Sequence, residues 1–209
     1  MKKNQIRIPK QQRSVEKKER IINAGLQLFC EKGYYNTNTA EIAKKAGVST
    51  GLVYSYFKNK DDIFAAGIKQ LSASLQAVIS DAIGRLDFSL LTESDTALND
   101  SLYYIVKEII DYSVSMHIRF RNTHQELCIM ENNPFIFEFL MEFETQTAEL
   151  IKGLFQKSGF KLKNPNEKIH LLFHLVEDYC HETVFHQHEY INYDAYLNET
   201  IQTIIFILK

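Results

Sequence analysis

The sequence predicts an all-α protein, with a small three-helix head, a larger helical body and about nine helices in total. Three observations carry that reading. Only 8 Gly and 3 Pro occur in 209 residues, too little turn punctuation for an all-β chain of this length. Apolar residues recur at three- and four-residue spacing along most of the chain. Charge is divided: residues 1–60 hold 13 Lys or Arg against 4 Asp or Glu, whereas residues 61–209 hold 11 against 22. The expected domains follow that division, 1–60 as the head and 61–209 as the body.

Residues 1–13 are polar and basic, contain Pro9, and read as a flexible arm. From Ser14 the pattern turns helical, with Ile22, Gly25, Leu26 and Phe29 on one face and a stop at Lys32-Gly33. Asn38 caps a short second helix and Glu41, three residues on, reciprocates; Gly47 closes it. Ser49 caps a third helix, Thr50 to Phe57, and Lys58-Asn59-Lys60 connects to a fourth, Asp61 to roughly Leu86. Residues 87–95 lack a period and read as a loop. Helices then run from Thr96 to about Ser115 and from His117 to Glu131, the latter stopped by Asn132-Asn133-Pro134. An aromatic-rich helix runs from Phe135 to Lys157. Asn164-Pro165 opens another to about His188, and the last spans Tyr193 to Leu208.

Three widely spaced cysteines, Cys30, Cys128 and Cys180, form no CxxC pair, so neither a disulfide framework nor a structural zinc site is expected. The basic N-terminus lacks the apolar stretch of a signal peptide, and runs such as Ile204–Leu208 are too short to span a bilayer. A soluble cytoplasmic protein without a membrane partner is therefore expected. A basic head on an acidic body points to a polyanion held by one end of the chain.

Between Ile42 and Val53 the chain reads IAKKAGVSTGLV. In a helix-turn-helix a small residue lets the second helix approach, a Gly four residues later takes the left-handed turn, and an aliphatic residue seals the pair. Ala43, Gly47 and Val53 occupy those places, with Val48 as the expected buried turn residue. The second helix of such a motif enters the major groove by its N-terminal residues. Here these are Ser49, Thr50, Gly51 and Tyr54. Thr50 brings a hydroxyl and a methyl for base edges, and Gly51 lets the backbone come close to DNA. Tyr54 and Tyr56 carry hydroxyls suited to phosphate, and Lys60 sits at a helix N-terminus.

The run from Arg20 to Phe64, RIINAGLQLFCEKGY…TAEIAKKAGVSTGLVYSYFKNKDDIF, resembles the DNA-binding head of TetR-family repressors. It covers about a fifth of the chain. The resemblance implies an all-helical homodimer joined through its last two helices, an effector pocket in the body and a palindromic operator of double-stranded DNA. It also implies Thr39, Thr50, Gly51, Tyr54, Tyr56 and Lys60 as DNA contacts. The expected function is a transcriptional regulator, a repressor released by a small-molecule effector. A sequence-indifferent DNA binder without an effector is the alternative.

In the body, apolar stripes place Leu172, Val176, Cys180, Leu197, Ile201, Ile204 and Ile205 at the expected dimer interface. Aromatic and histidine content places Tyr103, Tyr104, His117, Phe120, His124, Phe137 and Phe173 around the expected pocket for a hydrophobic or aromatic molecule. All 7 histidines lie in the body. His174, Asp178 and His181, or His117, His124 and Cys128, could share a helix face. Neither set has the tight spacing of a zinc motif, so no metal and no cofactor are expected. Glu177, Cys180 and His181 could be imagined as catalytic. However, no nucleophile with a positioned base and no Gly-rich phosphate loop is evident, so an enzyme is not expected.

Overall fold

The structure, a computed structural model, describes residues 12–86, 96–123, 134–159 and 161–209. The arm up to residue 11, the expected loop over 87–95, and His124 and Cys128 lie outside the described residues. Within them every regular element is helical: α1 (Gln12–Lys32), α2 (Thr39–Ala46), α3 (Thr50–Tyr56), α4 (Lys60–Gly84), α5 (Thr96–Arg119), α6 (Pro134–Lys157), α7 (Pro165–His181) and α8 (Tyr193–Leu208).

Local chemistry sets the ends of these helices. The Asn38 side chain accepts from the Glu41 amide at 3.0 Å while Glu41 accepts from the Asn38 amide at 3.1 Å, a complete capping box. Gly47 ends α2 at φ 63°, a left-handed conformation that costs a residue with a side chain about 1 kcal/mol or more. Ser49 opens α3, its Oγ accepting from the Leu52 amide at 3.2 Å. Asn192 opens α8 by accepting from the Ala195 amide at 3.0 Å.

Two boundaries differ from expectation. α5 continues through His117 to Arg119 rather than ending near Ser115. Neither Gly nor Pro interrupts it there, and the hydroxyls of Ser113 and Ser115 donate to the carbonyls of Ile109 and Tyr112 without breaking the helix. α7 ends at His181 and passes into a π turn over Glu182–His186, closed by Gln187 at φ 49°. A single π turn inserts one residue and rotates the chain beyond it about the helix axis.

The chain divides into two compact units, Met1–Ser72 with Phe120–Phe139, and Ala73–Arg119 with Leu140–Lys209. The division falls inside α4, not at residue 60. In the first unit α4 lies tightly on α1: a Cβ on Gly25 would sit 2.7 Å from Ile63 Cγ2, and one on Gly67 2.5 Å from Leu26 Cδ2. Phe29, Tyr34 and Phe64 meet as a buried aromatic triad with centroids 5.2 to 5.5 Å apart. Residues after α5 join this unit because Thr123 Oγ1 donates to the Phe29 carbonyl at 2.7 Å and Asn122 Nδ2 to the Cys30 carbonyl at 2.9 Å.

In the second unit the core is Leu102, Val106 and Ile110 of α5, Phe155 of α6, Tyr179 of α7 and Ile201, Ile204, Ile205 and Leu208 of α8. Each fully buried Ile or Leu there contributes about 1.5–3 kcal/mol. By length and composition α4 is apolar enough to cross a membrane. Five of its apolar side chains are nonetheless buried in protein, Ile63 and Phe64 in the first unit and Ile79, Ala82 and Ile83 in the second.

Candidate nucleic-acid interface and ligand cavity

The head presents one face of α3. Val53 and Tyr56 are buried, while Ser49, Thr50, Gly51 and Tyr54 are accessible, Tyr54 at 44%. Thr50 and Tyr54 stand one helical turn apart, and Gly51 beside them has open space where a Cβ would project. Lys44 and Lys58, on either side of α3 in sequence, are exposed. Sequence reasoning missed both, although basic residues bordering the second helix were the available signal. The turn before α3 is fixed from behind, because the Arg20 guanidinium donates to the Ala46 carbonyl at the end of α2.

Three head residues sit differently from expectation. Tyr56 is 3% exposed, and its hydroxyl shares a 2.7 Å hydrogen bond with Ser14 Oγ, so it is not a surface contact. Residues two apart on a helix differ by about 200° in direction, so Tyr54 and Tyr56 cannot share the outward face. The Lys60 ammonium donates to the Tyr34 carbonyl at 2.7 Å and the Thr37 carbonyl at 2.9 Å, and lies 4.0 Å from the Tyr34 ring centroid. Lys60 therefore ties down the α1–α2 turn instead of reaching outward. Val48 is half-buried rather than buried, and Thr39 is half-buried at the start of α2.

The second unit holds a partly open cavity of about 680 Å³. Its walls are mainly aliphatic, with Leu75, Ile79 and Ile83 of α4, Ile105 and Ile109 of α5 and Val176 of α7. Of the expected pocket residues His117 and Phe173 line it. Tyr104 does not, being 69% exposed, and Tyr103 instead donates its hydroxyl to Asn198. Phe120 and Phe137 belong to the other unit. Aromatic content does not tell which side of a helix faces inward, and aliphatic residues supply most of this wall.

His117 is a polar group in the cavity wall that is held from several sides. Its Nδ1 lies 2.9 Å from the Ser113 carbonyl and its Nε2 3.4 Å from Glu177 Oε2. Burial works against its charge, but the Cys180 sulfur, the Glu177 carboxylate and the Ser113 carbonyl outweigh burial and raise its pKa to about 10. Burial pushes the Cys180 thiol up and the His181 imidazole down. Glu177, Cys180 and His181 thus surround a structural imidazolium.

The residues expected at a dimer interface are occupied within their own unit. Cys180, Ile201, Ile204 and Ile205 are buried in its core, and Leu172, Val176 and Leu197 pack against that core. Periodicity identified the apolar faces correctly as faces; the same chain covers Cys180, Ile201, Ile204 and Ile205, whereas Leu172, Val176 and Leu197 are half-buried.

Comparison with known proteins decides what this head is. Residues 21–66 match the model of the bacterial regulatory proteins of the tetR family. That match covers the head alone, and the head resembles those of the TetR family. The regulator HbdR of Aromatoleum sp. is 48% identical over 56 residues, 27% of this chain and 24% of that protein. The biofilm operon negative transcriptional regulator IcaR of Staphylococcus aureus is 24% identical over 157 residues, 75% of this chain and 79% of IcaR. The matches to HbdR and to the fatty acid metabolism regulator of Bacillus subtilis each span about a quarter of those proteins' length. The TetR fold extends over the body. A protein from Mesorhizobium loti assigned to the TetR family superposes with a TM-score of 0.70 at 20% identity, covering 95% of this chain and 98% of its own. The fatty acid degradation regulator FadR of Bacillus halodurans does so at 0.59 and 20% identity, covering 92% and 94%. The TetR family is one of regulators and not of enzymes.

Proposed function

We propose that this chain is a dimeric TetR-family transcriptional repressor that holds a palindromic DNA operator and leaves it when a small molecule enters the cavity. One observation carries the reading: Thr50, Gly51 and Tyr54 stand exposed on a helix whose opposite face is locked into the head. The excess of 9 positive charges in residues 1–60 supplies the attraction to phosphate. The negative sign of regulation is taken from IcaR, a negative transcriptional regulator by name.

The cavity favours a neutral or cationic apolar molecule. Among the described residues its lining includes Glu144, Glu149, Glu167 and Glu177 and neither Lys nor Arg, and His117 is already paired with Glu177. A carboxylate ligand would meet net negative charge there, at a cost that grows in a low-dielectric site. The multidrug binding protein EbrR shares the fold at a TM-score of 0.64 and 15% identity. Signalling runs along α4, which gives Leu75, Ile79 and Ile83 to the cavity wall and Ile63, Phe64 and Gly67 to the head. A ligand that prefers one setting of this helix by about 1–3 kcal/mol shifts operator occupancy five- to hundredfold. The dimer contact is assigned to the outer sides of α7 and α8, where Leu171 is exposed and Phe206 is 80% exposed. Cytoplasmic residence follows from the DNA target.

Selection of bound duplexes from random DNA tests the reading. The expected outcome is a two-fold symmetric site preferred over random sequence by about 10³ or more. Equal retention of all sequences would favour the sequence-indifferent DNA binder and remove the repressor reading.

A further inference from the structure

We propose that Glu144, His170 and His174 form a binding site for a divalent transition-metal ion of the zinc class. Glu144 comes from α6, and His170 and His174 stand one turn apart on α7. One donor atom from each of the three lies within 4.8 Å of the other two. Glu144 Oε1 is 2.6 Å from His170 Nδ1, and the two imidazole rings are 4.4 Å apart at 78°.

Two imidazoles and one carboxylate are the donor set of three-ligand zinc sites, which keep a fourth position open. Zinc bonds of about 2.0–2.2 Å in a tetrahedron put ligand atoms about 3.3 Å apart. The three side chains therefore need to close by about 1.5 Å at most, and both imidazoles are exposed. Histidines four apart on one helix present their rings to the same point, so much of the chelate is set by the backbone. The carboxylate is the more enclosed partner, its side chain 22% exposed against 62% for His170. A hard ion such as magnesium prefers an all-oxygen octahedron, which this set does not supply.

The placement has a consequence. Glu144 and His170 also line the cavity, so the open coordination position borders it. The ion would cross-link α6 to α7 at the cavity wall and add positive charge beside the carboxylates there. The sequence hides this site because its third ligand lies 26 residues before His170. The helical stripe His174–Asp178–His181 is the set that spacing alone suggests, yet among the described residues the compact cluster is Glu144 with His170 and His174.

Full-length protein stripped by a chelator and titrated with Co²⁺ tests the site. The expected result is one ion per chain with the visible absorption of four-coordinate cobalt, displaced by Zn²⁺. His174→Ala, His170→Ala and Glu144→Gln should each weaken binding by about tenfold or more, since losing even an outer partner of a metal ligand costs about 10–100-fold. A His186→Ala/His188→Ala variant controls for the other exposed histidines and should bind as the parent does. Far-ultraviolet circular dichroism identifies any variant that has lost its helices. Absence of cobalt absorption in the folded parent overturns the proposal. So does unchanged binding in folded His174→Ala, or a thiolate charge-transfer band, which would place the ion on a cysteine.

Discussion

The Tyr56 hydroxyl and Ser14 Oγ lie 2.7 Å apart, joining the end of α3 to the start of α1 inside the head. Two residues earlier Tyr54 stands in solvent. The pair makes opposite predictions from the same substitution chemistry. Tyr56→Phe leaves the Ser14 hydroxyl unpaired in a buried place and should cost about 1–3 kcal/mol of stability, with DNA affinity per folded molecule unchanged. Tyr54→Ala should leave the melting temperature nearly unchanged and weaken operator binding. Thermal melts and gel shifts on both variants check this. Reversal of the two phenotypes would mean that α3 is rotated from the orientation described.

Gly51 separates stability from binding in another way. An added methyl meets nothing within 4 Å, and Gly51 lies in the first turn of a helix, where Ala is favoured by up to about 1 kcal/mol. Gly51→Ala should therefore stabilise the head while weakening DNA binding, because the methyl occupies space that the backbone needs to approach the duplex. Unchanged or tighter operator binding in a gel shift would show that the helix does not approach so closely.

Close helix contact makes a third prediction. The Cβ of Gly67→Ala would fall 2.5 Å from Leu26 Cδ2 and 2.7 Å from its Cγ, and Leu26 is 3% exposed with little room to yield. Overpacking of this kind costs about 1–3 kcal/mol and outweighs the helical gain of Ala. Leu26→Ala alone leaves a cavity and costs about 2–5 kcal/mol. Combined, the two should cost less than their sum, since each relieves the other. Additive losses in urea denaturation would place the helices further apart than described.

How much of this was legible beforehand depends on what a signal encodes. Caps and turns are written locally: Asn38 with Glu41, Gly47 and Ser49 were expected in their roles and occupy them. Apolar periodicity was legible too, but it reports which face is buried and not what buries it. Cys180, Ile201 and Ile204 thus suggested a partner subunit and instead lie buried within their own unit. Lys60 looked like a phosphate ligand because its bonds to the Tyr34 and Thr37 carbonyls join residues more than twenty positions apart. The same distance along the chain concealed the Glu144 cluster and the affinity of residues 120–123 for the head.

His117 supplies a pH dependence whose sign is fixed. Its folded pKa of about 10 lies above the ordinary 6.5 because Glu177, Cys180 and the Ser113 carbonyl favour the imidazolium over the opposing effect of burial. A raised pKa stabilises the fold fully below about pH 6.5, and the contribution is lost as pH climbs toward 10. At about 1.4 kcal/mol per unit its size is on the order of a few kcal/mol. His117→Gln keeps a hydrogen-bonding side chain but removes the titration. The urea midpoints of parent and variant should differ most near about pH 6 and converge by about pH 10. Cys180 also loses stability in alkali because burial raises its thiol pKa, a rise that His117 opposes, so a Cys180→Ser background carried by both proteins isolates the imidazole. A difference that stayed constant or widened with pH would mean that His117 is neutral in the folded chain and that Glu177 does not hold its proton.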